Sequence, residues 1–258
     1  MELLSNGTGL TVVVFLPLIS ALILTAIPKS QELLIKGFAL VSSILTFIIS
    51  ALLIPQFDFS NADKLQLGNK ISWIKSINAN YEIGIDGISL PLLILSTFIT
   101  VLAIIYSIEH LPEPKSPKGF LALILVLETG MNGTFVALDL ILFFVFFEIV
   151  LLPMYFMIGI WGDKTVRTVA GLKNQIETRL YASIKFFVFT LFGSAFMLLG
   201  FLGLYYRGNR TFSIPELIEL GTNGAFTGTF AMLVFAVLFL GFAVKVPMWP
   251  LHTWLPDA

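Results

Sequence analysis

Seven apolar stretches, each long enough to cross a lipid bilayer, constrain the fold of this chain more than any other feature. A helix rises 1.5 Å per residue, so about 20 apolar residues span the hydrocarbon core of a membrane. The predicted spans are residues 11–27, 33–53, 90–108, 120–138, 140–160, 181–206 and 227–246. The predicted fold class is therefore all-α, a polytopic membrane protein with about seven transmembrane helices.

The composition agrees with a chain embedded in a lipid bilayer and argues against several other classes. Charged residues make up 12% of the 258 residues, about half the share in soluble domains. The net charge of −1 lacks the basic stripe that nucleic-acid binding requires. The chain has no cysteine, which excludes thiolate-held iron–sulfur clusters, and its two histidines make a haem or metal site unexpected. We therefore predict no catalytic, cofactor-binding or metal-binding residue in this chain.

The loops indicate how the chain is oriented. The first apolar stretch lacks the basic leader of a secretory signal, so we predict a retained helix. Lysine and arginine are more frequent in the loops after the first, third and fifth spans, which predicts that the N-terminus lies outside. In the long loop before the third span, residues 71–74 and 81–85 alternate in polarity and predict two short strands at the membrane surface.

Four ionisable side chains lie inside the apolar stretches and are the first candidates for function: Glu128, Glu148, Lys185 and Lys245. A charge near the bilayer centre costs at least about 2.5–3.5 kcal/mol, so a membrane protein that retains several usually uses them. Because both signs are present, the set indicates a path for protons or ions rather than a plain anchor.

Glu148 lies near the middle of the fifth predicted span, among phenylalanines, with nothing on its own helix to pair with it. Pro153 follows five residues later and removes a helical hydrogen bond, which predicts a kink close to the acid. We interpret Glu148 as a proton-carrying or ion-pairing carboxylate that faces the protein interior. The alternative is a structural carboxylate hydrogen-bonded to another helix.

Lys245 ends the seventh predicted span, and Pro247 and Pro250 follow it. Two prolines so close to a lysine predict a discontinuous helix, a device by which transporters place ion sites at membrane depth. The alternative is a lysine that reaches the interface from an ordinary helix end. Burial lowers the proton affinity of a lysine and a nearby carboxylate raises it, so a movable carboxylate could switch such a lysine.

Three further residues are candidates with a structural alternative each. Lys185 lies near the start of its span, so its side chain could also extend to the inner surface. Glu128 is central in the fourth span, near Gly130 and Asn132, on a face that could hold water or pack closely on another helix. His252 follows the predicted helix break and could relay protons, although a lone histidine is often structural.

Three stretches of the sequence resemble the M-subunit family of the proton-pumping NADH:quinone oxidoreductases, the enzymes known as respiratory complex I. The first comprises residues 138–148 (LDLILFFVFFE), 152–156 (LPMYF) and 159–162 (GIWG). The second is residues 245–258 (KVPMWPLHTWLPDA), and the third is residues 84–92 (GIDGISLPL). Together they extend over roughly residues 80–258 and are specific in combination.

The resemblance implies antiporter-like proton translocation. In that family the acid of the fifth helix and the lysine of the broken seventh helix form the key pair, and these positions fall on Glu148 and Lys245. The lysine of the sixth helix falls on Lys185, and the histidine of the signature falls on His252. The resemblance also implies that NADH, FMN, iron–sulfur clusters and quinone are bound by partner subunits, and that the partners are L-, N- and K-like membrane-arm subunits in a bacterial plasma (inner) membrane.

The sequence departs from the family in two respects. Family members are about twice as long and contain two inverted repeats, so we expect this chain to be a fragment that stops before the eighth helix of the first repeat. The predicted domains are then a three-helix segment at residues 1–110, with a surface loop at 54–89, and an incomplete antiporter-like repeat at 111–258. Residues 166–178 resemble an insertion in a cytoplasmic loop.

Two other hypotheses remain open from the sequence. One is the D-type subunit of a multisubunit Na⁺/H⁺ antiporter, a close relative of the same fold. Residues 84–92 and the sequence Pro153-Met154-Tyr155 favour the oxidoreductase subunit over this alternative. The other is a structural membrane subunit whose buried charges only specify packing.

Overall fold

The computed structural model describes residues 7–167 and 176–258, and this part of the chain is mostly helical. The helices are α1 (Thr8–Ala26), α2 (Glu32–Ala51), α3 (Ser89–Glu109), α4 (Pro117–Val136), α5 (Leu140–Ile149), α6 (Leu151–Trp161), α7 (Thr178–Arg207), α8 (Ile214–Thr222) and α9 (Gly228–Lys245). Within the described residues, seven helical segments are long and apolar enough to cross a membrane, with α5 and α6 counted as the single segment Leu140–Trp161. The seven predicted spans are therefore confirmed, whereas the short helix α8 was not predicted.

In the described ranges, two short antiparallel strand pairs accompany the helices. Strand β1 (Gln66–Ile74) pairs with β2 (Ala79–Ile85), so the predicted strands at residues 71–74 and 81–85 form one hairpin. Strand β3 (Val166–Arg167) pairs with β4 (Ile176–Glu177). The proposed insertion at residues 166–178 is seen only at these two ends, because residues 168–175 lie outside the described residues.

The chain forms two compact units, Met1–Val150 and Leu151–Ala258. In the first unit, α1, α3, α4, α5 and the hairpin enclose one apolar core, and β2 is buried against it while β1 is mostly exposed. The phenyl ring of Phe146 on α5 lies where a Cβ atom at Gly133 of α4 would be, so the two helices approach as closely as only glycine allows. Close approach at small residues is the usual way in which membrane helices pack.

In the second unit, α7 also packs closely along α9 at a glycine. A Cβ atom at Gly193 of α7 would lie 2.8 Å from the Cβ of Val244 on α9. A separate apolar cluster joins α6, α7 and the segment after α9, and it consists of Leu151, Ile158, Ala182, Phe186 and Trp254. The second unit therefore holds the residues that follow α9 against the helices of the same unit.

A buried amide in the first unit compensates for a proline inside α1. Pro17 has no N–H group, so the carbonyl of Val13 loses its helical donor. The Nδ2 of Asn132 on α4 donates to this carbonyl oxygen at 3.3 Å. The Oδ1 of the same side chain accepts a hydrogen bond from Ser96 Oγ on α3 at 3.1 Å. One side chain thus joins three helices.

We expect the substitution Asn132→Leu to lower the free energy of unfolding by about 2–4 kcal/mol, because each buried polar group left without a partner costs about 1–3 kcal/mol. The substitution Pro17→Ala provides an N–H group that can donate to Val13, so Asn132→Leu should be less harmful in that background. Unfolding of the four purified proteins by SDS titration measures both effects. An equal loss in the two backgrounds contradicts this account of Asn132.

Candidate functional site

The helix that carries Glu148 begins at a buried aspartate. Asp139 Oδ1 accepts hydrogen bonds from the backbone N–H groups of Ile141 at 2.9 Å and Leu142 at 3.1 Å, which makes it the N-cap of α5. Its Oδ2 accepts a third hydrogen bond, from the backbone N–H of Asn80 in β2, at 2.9 Å. One carboxylate therefore attaches the hairpin to the start of the helix that bears the predicted acid.

The hairpin is attached to the α4–α5 turn by the backbone as well. The N–H of Leu138 donates to the carbonyl oxygen of Glu82 at 2.8 Å, and the Glu82 carboxylate lies 3.2 Å from Lys70 Nζ. Burial raises the pKa of Asp139, although the N–H groups that bond to it and the charge of Lys70 act in the opposite direction. The Asp139 carboxylate is therefore costly to ionise, yet it lies where the start of α5 requires an acceptor.

Glu148 is the next-to-last residue of α5 and is half-buried. Helix α5 ends at Ile149 and α6 begins at Leu151, so the helix is interrupted immediately after the acid. Pro153 gives a physical reason for this interruption, because it lacks the N–H that would donate to the carbonyl of Ile149. An interrupted helix exposes backbone polar groups, which membrane proteins tolerate only inside protein or beside water.

Lys245 is the last residue of α9 and is also half-buried. Pro247 cannot donate to the carbonyl of Ala243, and the N–H of Met248 takes its place at 2.9 Å. Residues 246–257 continue as turns rather than as helix. The lysine therefore lies at a helix end within an apolar segment, where the chain changes direction.

The segment after α9, which contains Pro250, is held in place by a buried tryptophan. Trp254 Nε1 donates to the carbonyl oxygen of Val244 at 2.9 Å, so a carbonyl in the last turn of α9 is satisfied. The Trp254 ring packs edge-on against Phe186 of α7, with ring centroids 5.3 Å apart. This tryptophan therefore joins the turn segment to both α7 and α9.

Lys185 of α7 binds the same segment. Its Nζ donates to the carbonyl oxygen of Thr253 at 2.6 Å and to Asp257 Oδ2 at 2.7 Å. The rings of Tyr181 and Phe189 lie on the same helix, with centroids 5.7 and 6.0 Å from Nζ. The Lys185 and Asp257 side chains are each 19% exposed, so this ion pair is largely shielded from solvent.

The structure distributes the five predicted residues between the two units. Lys185, Lys245 and His252 belong to the second unit, where His252 is adjacent in sequence to the Thr253 carbonyl that Lys185 binds. The Nδ1 atom of His252 is buried and has no hydrogen-bond partner among the described residues. Glu128 and Glu148 belong to the first unit.

Glu128 is fully buried on α4, one turn before Asn132. Neither carboxylate oxygen of Glu128 has a hydrogen-bond partner in the described part of the chain. A buried carboxyl group without donors is costly, so this position requires a partner that the described protein atoms do not supply.

We expect a double-mutant cycle on Lys185→Met and Asp257→Asn to give a coupling energy of about 1–2 kcal/mol, as for a partly exposed charge-assisted hydrogen bond. The exposed pair of Lys115 and Glu113, 4.0 Å apart, is the matched control and should show almost no coupling. SDS-induced unfolding of the purified chain measures both cycles. Equal coupling in the two cycles contradicts a specific role for the Lys185–Asp257 pair.

Three residues of these contacts were not predicted as site residues. Asp139 could have been found from its position just before an apolar run, which is the sequence pattern of a helix N-cap. Asp257 pairs with a lysine 72 residues away, and no local pattern indicates that pairing. The role of Asn132 depends on Pro17 in a different helix, and no local sequence pattern indicates that relation either.

Comparison with known proteins identifies the family. The model described as "NADH-ubiquinone oxidoreductase chain 4, amino terminus" matches residues 12–134, and "NADH:quinone oxidoreductase/Mrp antiporter, TM" matches residues 137–258. This chain belongs to the family of antiporter-like M (chain 4) subunits of NADH:quinone oxidoreductase. The second description includes Mrp antiporters, whereas the first names only the oxidoreductase, so the oxidoreductase hypothesis is better supported than the antiporter alternative.

Individual relatives agree with this family. NAD(P)H-quinone oxidoreductase chain 4 of Gloeobacter violaceus is 38% identical over 251 residues, covering 96% of this chain and 43% of the relative. NADH-quinone oxidoreductase subunit M of Rickettsia bellii is 37% identical over 258 residues, covering 96% and 48%. A chain of respiratory complex I from Thermus thermophilus with bound NADH superposes with a TM-score of 0.76 at 26% identity, covering 96% and 46%. The chain spans about half the length of the curated relatives that it matches.

Proposed function

We propose that this chain translocates protons across the membrane as a subunit of an NADH:quinone oxidoreductase. The observation that carries this proposal is that an acid and a lysine, both within apolar segments, each lie at a helix end. Glu148 lies immediately before the α5–α6 interruption, and Lys245 is the last residue of α9. Discontinuous helices and intramembrane charges are the recurrent elements of ion sites in transporters.

Proton movement then depends on changes in the partners of these side chains. A lysine beside a carboxylate keeps its proton, and a desolvated lysine that loses this partner releases it. We assign the central roles to Glu148 and Lys245. Lys185 and His252 are proposed to pass protons along the segment after α9, and Glu128 is proposed to take part from α4.

We assign the redox chemistry to partner subunits, so this chain acts as the non-redox part of a translocase. The chain has no cysteine to hold an iron–sulfur cluster, and NADH, FMN, the clusters and quinone are proposed to be bound by other subunits. Redox chemistry in those subunits would drive the movement of protons here. The division into a three-helix segment at residues 1–110 and an antiporter-like repeat at residues 111–258 remains a prediction.

The chain is an integral membrane protein, and we propose that its setting is the bacterial plasma membrane with the N-terminus outside. The proposed partners are L-, N- and K-like membrane-arm subunits. Many apolar side chains are exposed on the helices, including Leu33 at 86% and Val41 at 65% on α2, and such surfaces fit contact with lipid or other subunits.

Inverted membrane vesicles that contain the whole complex test this function. With NADH as electron donor and sodium-free buffer, the lumen should acidify, and deletion of the gene for this chain should abolish the acidification. Restoring the gene should restore it. An exchange of sodium for protons that requires no NADH supports the antiporter alternative and contradicts the proposal.

A further inference from the structure

The first unit contains a buried polar core between α2, α3 and α4, which pack against one another. Polar residues recur at every fourth position on each helix, so they share one face of it. On α2 these are Ser42, Thr46 and Ser50, and all three are buried. The corresponding pairs are Ser96 with Thr100 on α3 and Glu128 with Asn132 on α4, and all four residues are buried.

One layer of this core is fully connected. Ser50 Oγ of α2 and Thr97 Oγ1 of α3 lie 2.8 Å apart, and Ser96 Oγ donates to Asn132 Oδ1 at 3.1 Å. Hydrogen bonds therefore link the three helices at this depth, and the asparagine also bonds to α1, as described above. The polar atoms of this layer find their partners within the protein.

The next layer is not connected in this way. Counting one helical turn from the connected layer gives Thr46 of α2, Thr100 of α3 and Glu128 of α4, which are all buried. In the connected layer, Ser50 and Asn132 lie near the ends of α2 and α4, whereas Thr97 and Ser96 lie in the first half of α3, as expected when α3 packs antiparallel to the other two helices. A step of one turn from the connected layer therefore leads toward the N-terminus on α2 and α4 and toward the C-terminus on α3.

The threonine hydroxyls of this layer donate to backbone carbonyls of their own helices. Thr46 Oγ1 donates its proton to the carbonyl of Ser42 at 3.0 Å, and Thr100 Oγ1 donates to the carbonyl of Ser96 at 3.0 Å. Each hydroxyl has one proton, so only its lone pairs remain for other partners. The two oxygens of Glu128 and the Oγ of Ser42 are buried without a hydrogen-bond partner among the described residues.

The chemistry of these groups selects the ligand. A buried carboxyl group whose two oxygens have no partner among the described residues requires a molecule that can both donate and accept hydrogen bonds, and water does both. Bound internal waters typically make about 2–4 such bonds to otherwise unsatisfied groups. We propose that Glu128, and Ser42 one turn beyond its layer on α2, bind internal water between α2, α3 and α4, and that the water at Glu128 exchanges a proton with its carboxyl group. The proton exchange extends the proposed function and rests on it. The existence of the water site does not depend on the proposed function.

Cryo-electron microscopy of the whole complex in lipid nanodiscs, at a resolution that shows ordered water, tests the site directly. We expect water density within hydrogen-bond distance of Glu128 in the native complex and its loss in Glu128→Leu. The matched control is Ser107→Ala, since Ser107 is buried on α3 and donates to the carbonyl of Ala103 at 2.6 Å. Its substitution should leave the water in place.

Infrared difference spectroscopy tests the proton independently and does not require Glu128→Leu to fold. We expect a carboxylic-acid C=O band that shifts in D₂O and disappears in the near-isosteric variant Glu128→Gln. Three outcomes overturn the proposal: a dry site in which the carboxyl bonds directly to protein groups, a density that requires sodium, or an unchanged band in Glu128→Gln. Water at Glu128 together with normal pumping by Glu148→Gln would instead overturn the proposed function and leave this site intact.

Discussion

Proton pumping by the assembled complex should fall at least about tenfold when Glu148 is replaced by glutamine, because removing a positioned proton-transfer group typically costs about 10²–10⁴-fold. Glutamine keeps the size and hydrogen-bonding capacity of the side chain but cannot ionise. The half-buried position before the α5–α6 interruption should therefore remain filled, and the helices should still pack. The loss would be one of proton transfer rather than of structure.

The measurement separates pumping from assembly. Native gels report the amount of assembled complex, and a pH-sensitive dye in inverted vesicles reports NADH-driven acidification. Glu148→Asp retains the carboxylate and should keep part of the activity, while Glu109→Gln removes an equal charge from an exposed position at the end of α3 and should change nothing. Normal pumping by an assembled Glu148→Gln complex supports the hypothesis of a purely structural subunit.

The spans were predictable because the bilayer leaves the backbone few choices. No water is available in the hydrocarbon core, so a long apolar stretch must satisfy its own N–H and C=O groups as a helix. The prediction for residues 33–53 therefore differs from helix Glu32–Ala51 only at its ends. Proline adds a local signal of the same physical origin, since a missing N–H at Pro153 or Pro247 affects a carbonyl four residues earlier.

Contacts between distant residues were not predictable, because helical phase shows which residues share a face but not which neighbour they meet. Lys185 could have extended to the membrane surface, yet it binds Asp257, and the two are 72 residues apart. The amide of Asn132 bonds to the carbonyl of Val13, 119 residues away. In both cases the chemistry of one side chain was visible in the sequence, whereas its partner was determined only by packing.

Replacing Asp139 by alanine should lower the free energy of unfolding by about 3–5 kcal/mol, because three backbone N–H groups lose their acceptor and each unsatisfied buried group costs about 1–3 kcal/mol. Two of these groups, on Ile141 and Leu142, are at the start of α5. The third, on Asn80, belongs to the hairpin. The substitution should therefore release the hairpin and fray the start of the helix that carries Glu148.

The matched variant Asp139→Asn separates the two attachments. Its amide oxygen can still cap α5, since asparagine is as good an N-cap as aspartate. Its NH₂ group replaces the acceptor that faces Asn80, so only the hairpin attachment is lost. The raised pKa of Asp139 means that the folded chain holds its charged form at a cost, and a neutral amide avoids this cost. We therefore expect a smaller loss of stability than in Asp139→Ala.

Disulfide cross-linking reports the hairpin attachment, because the chain has no cysteine that could interfere. Ile83 of β2 and Ala137 of the α4–α5 turn form an antiparallel bridge, so cysteines at these two positions should cross-link readily in the purified chain. The yield should fall in both Asp139 variants, whereas unfolding by SDS should show the larger loss for alanine. Equal stability of the two variants would show that the helix cap contributes little. An undiminished cross-link in both would show that Leu138 and Glu82 hold the hairpin without the carboxylate.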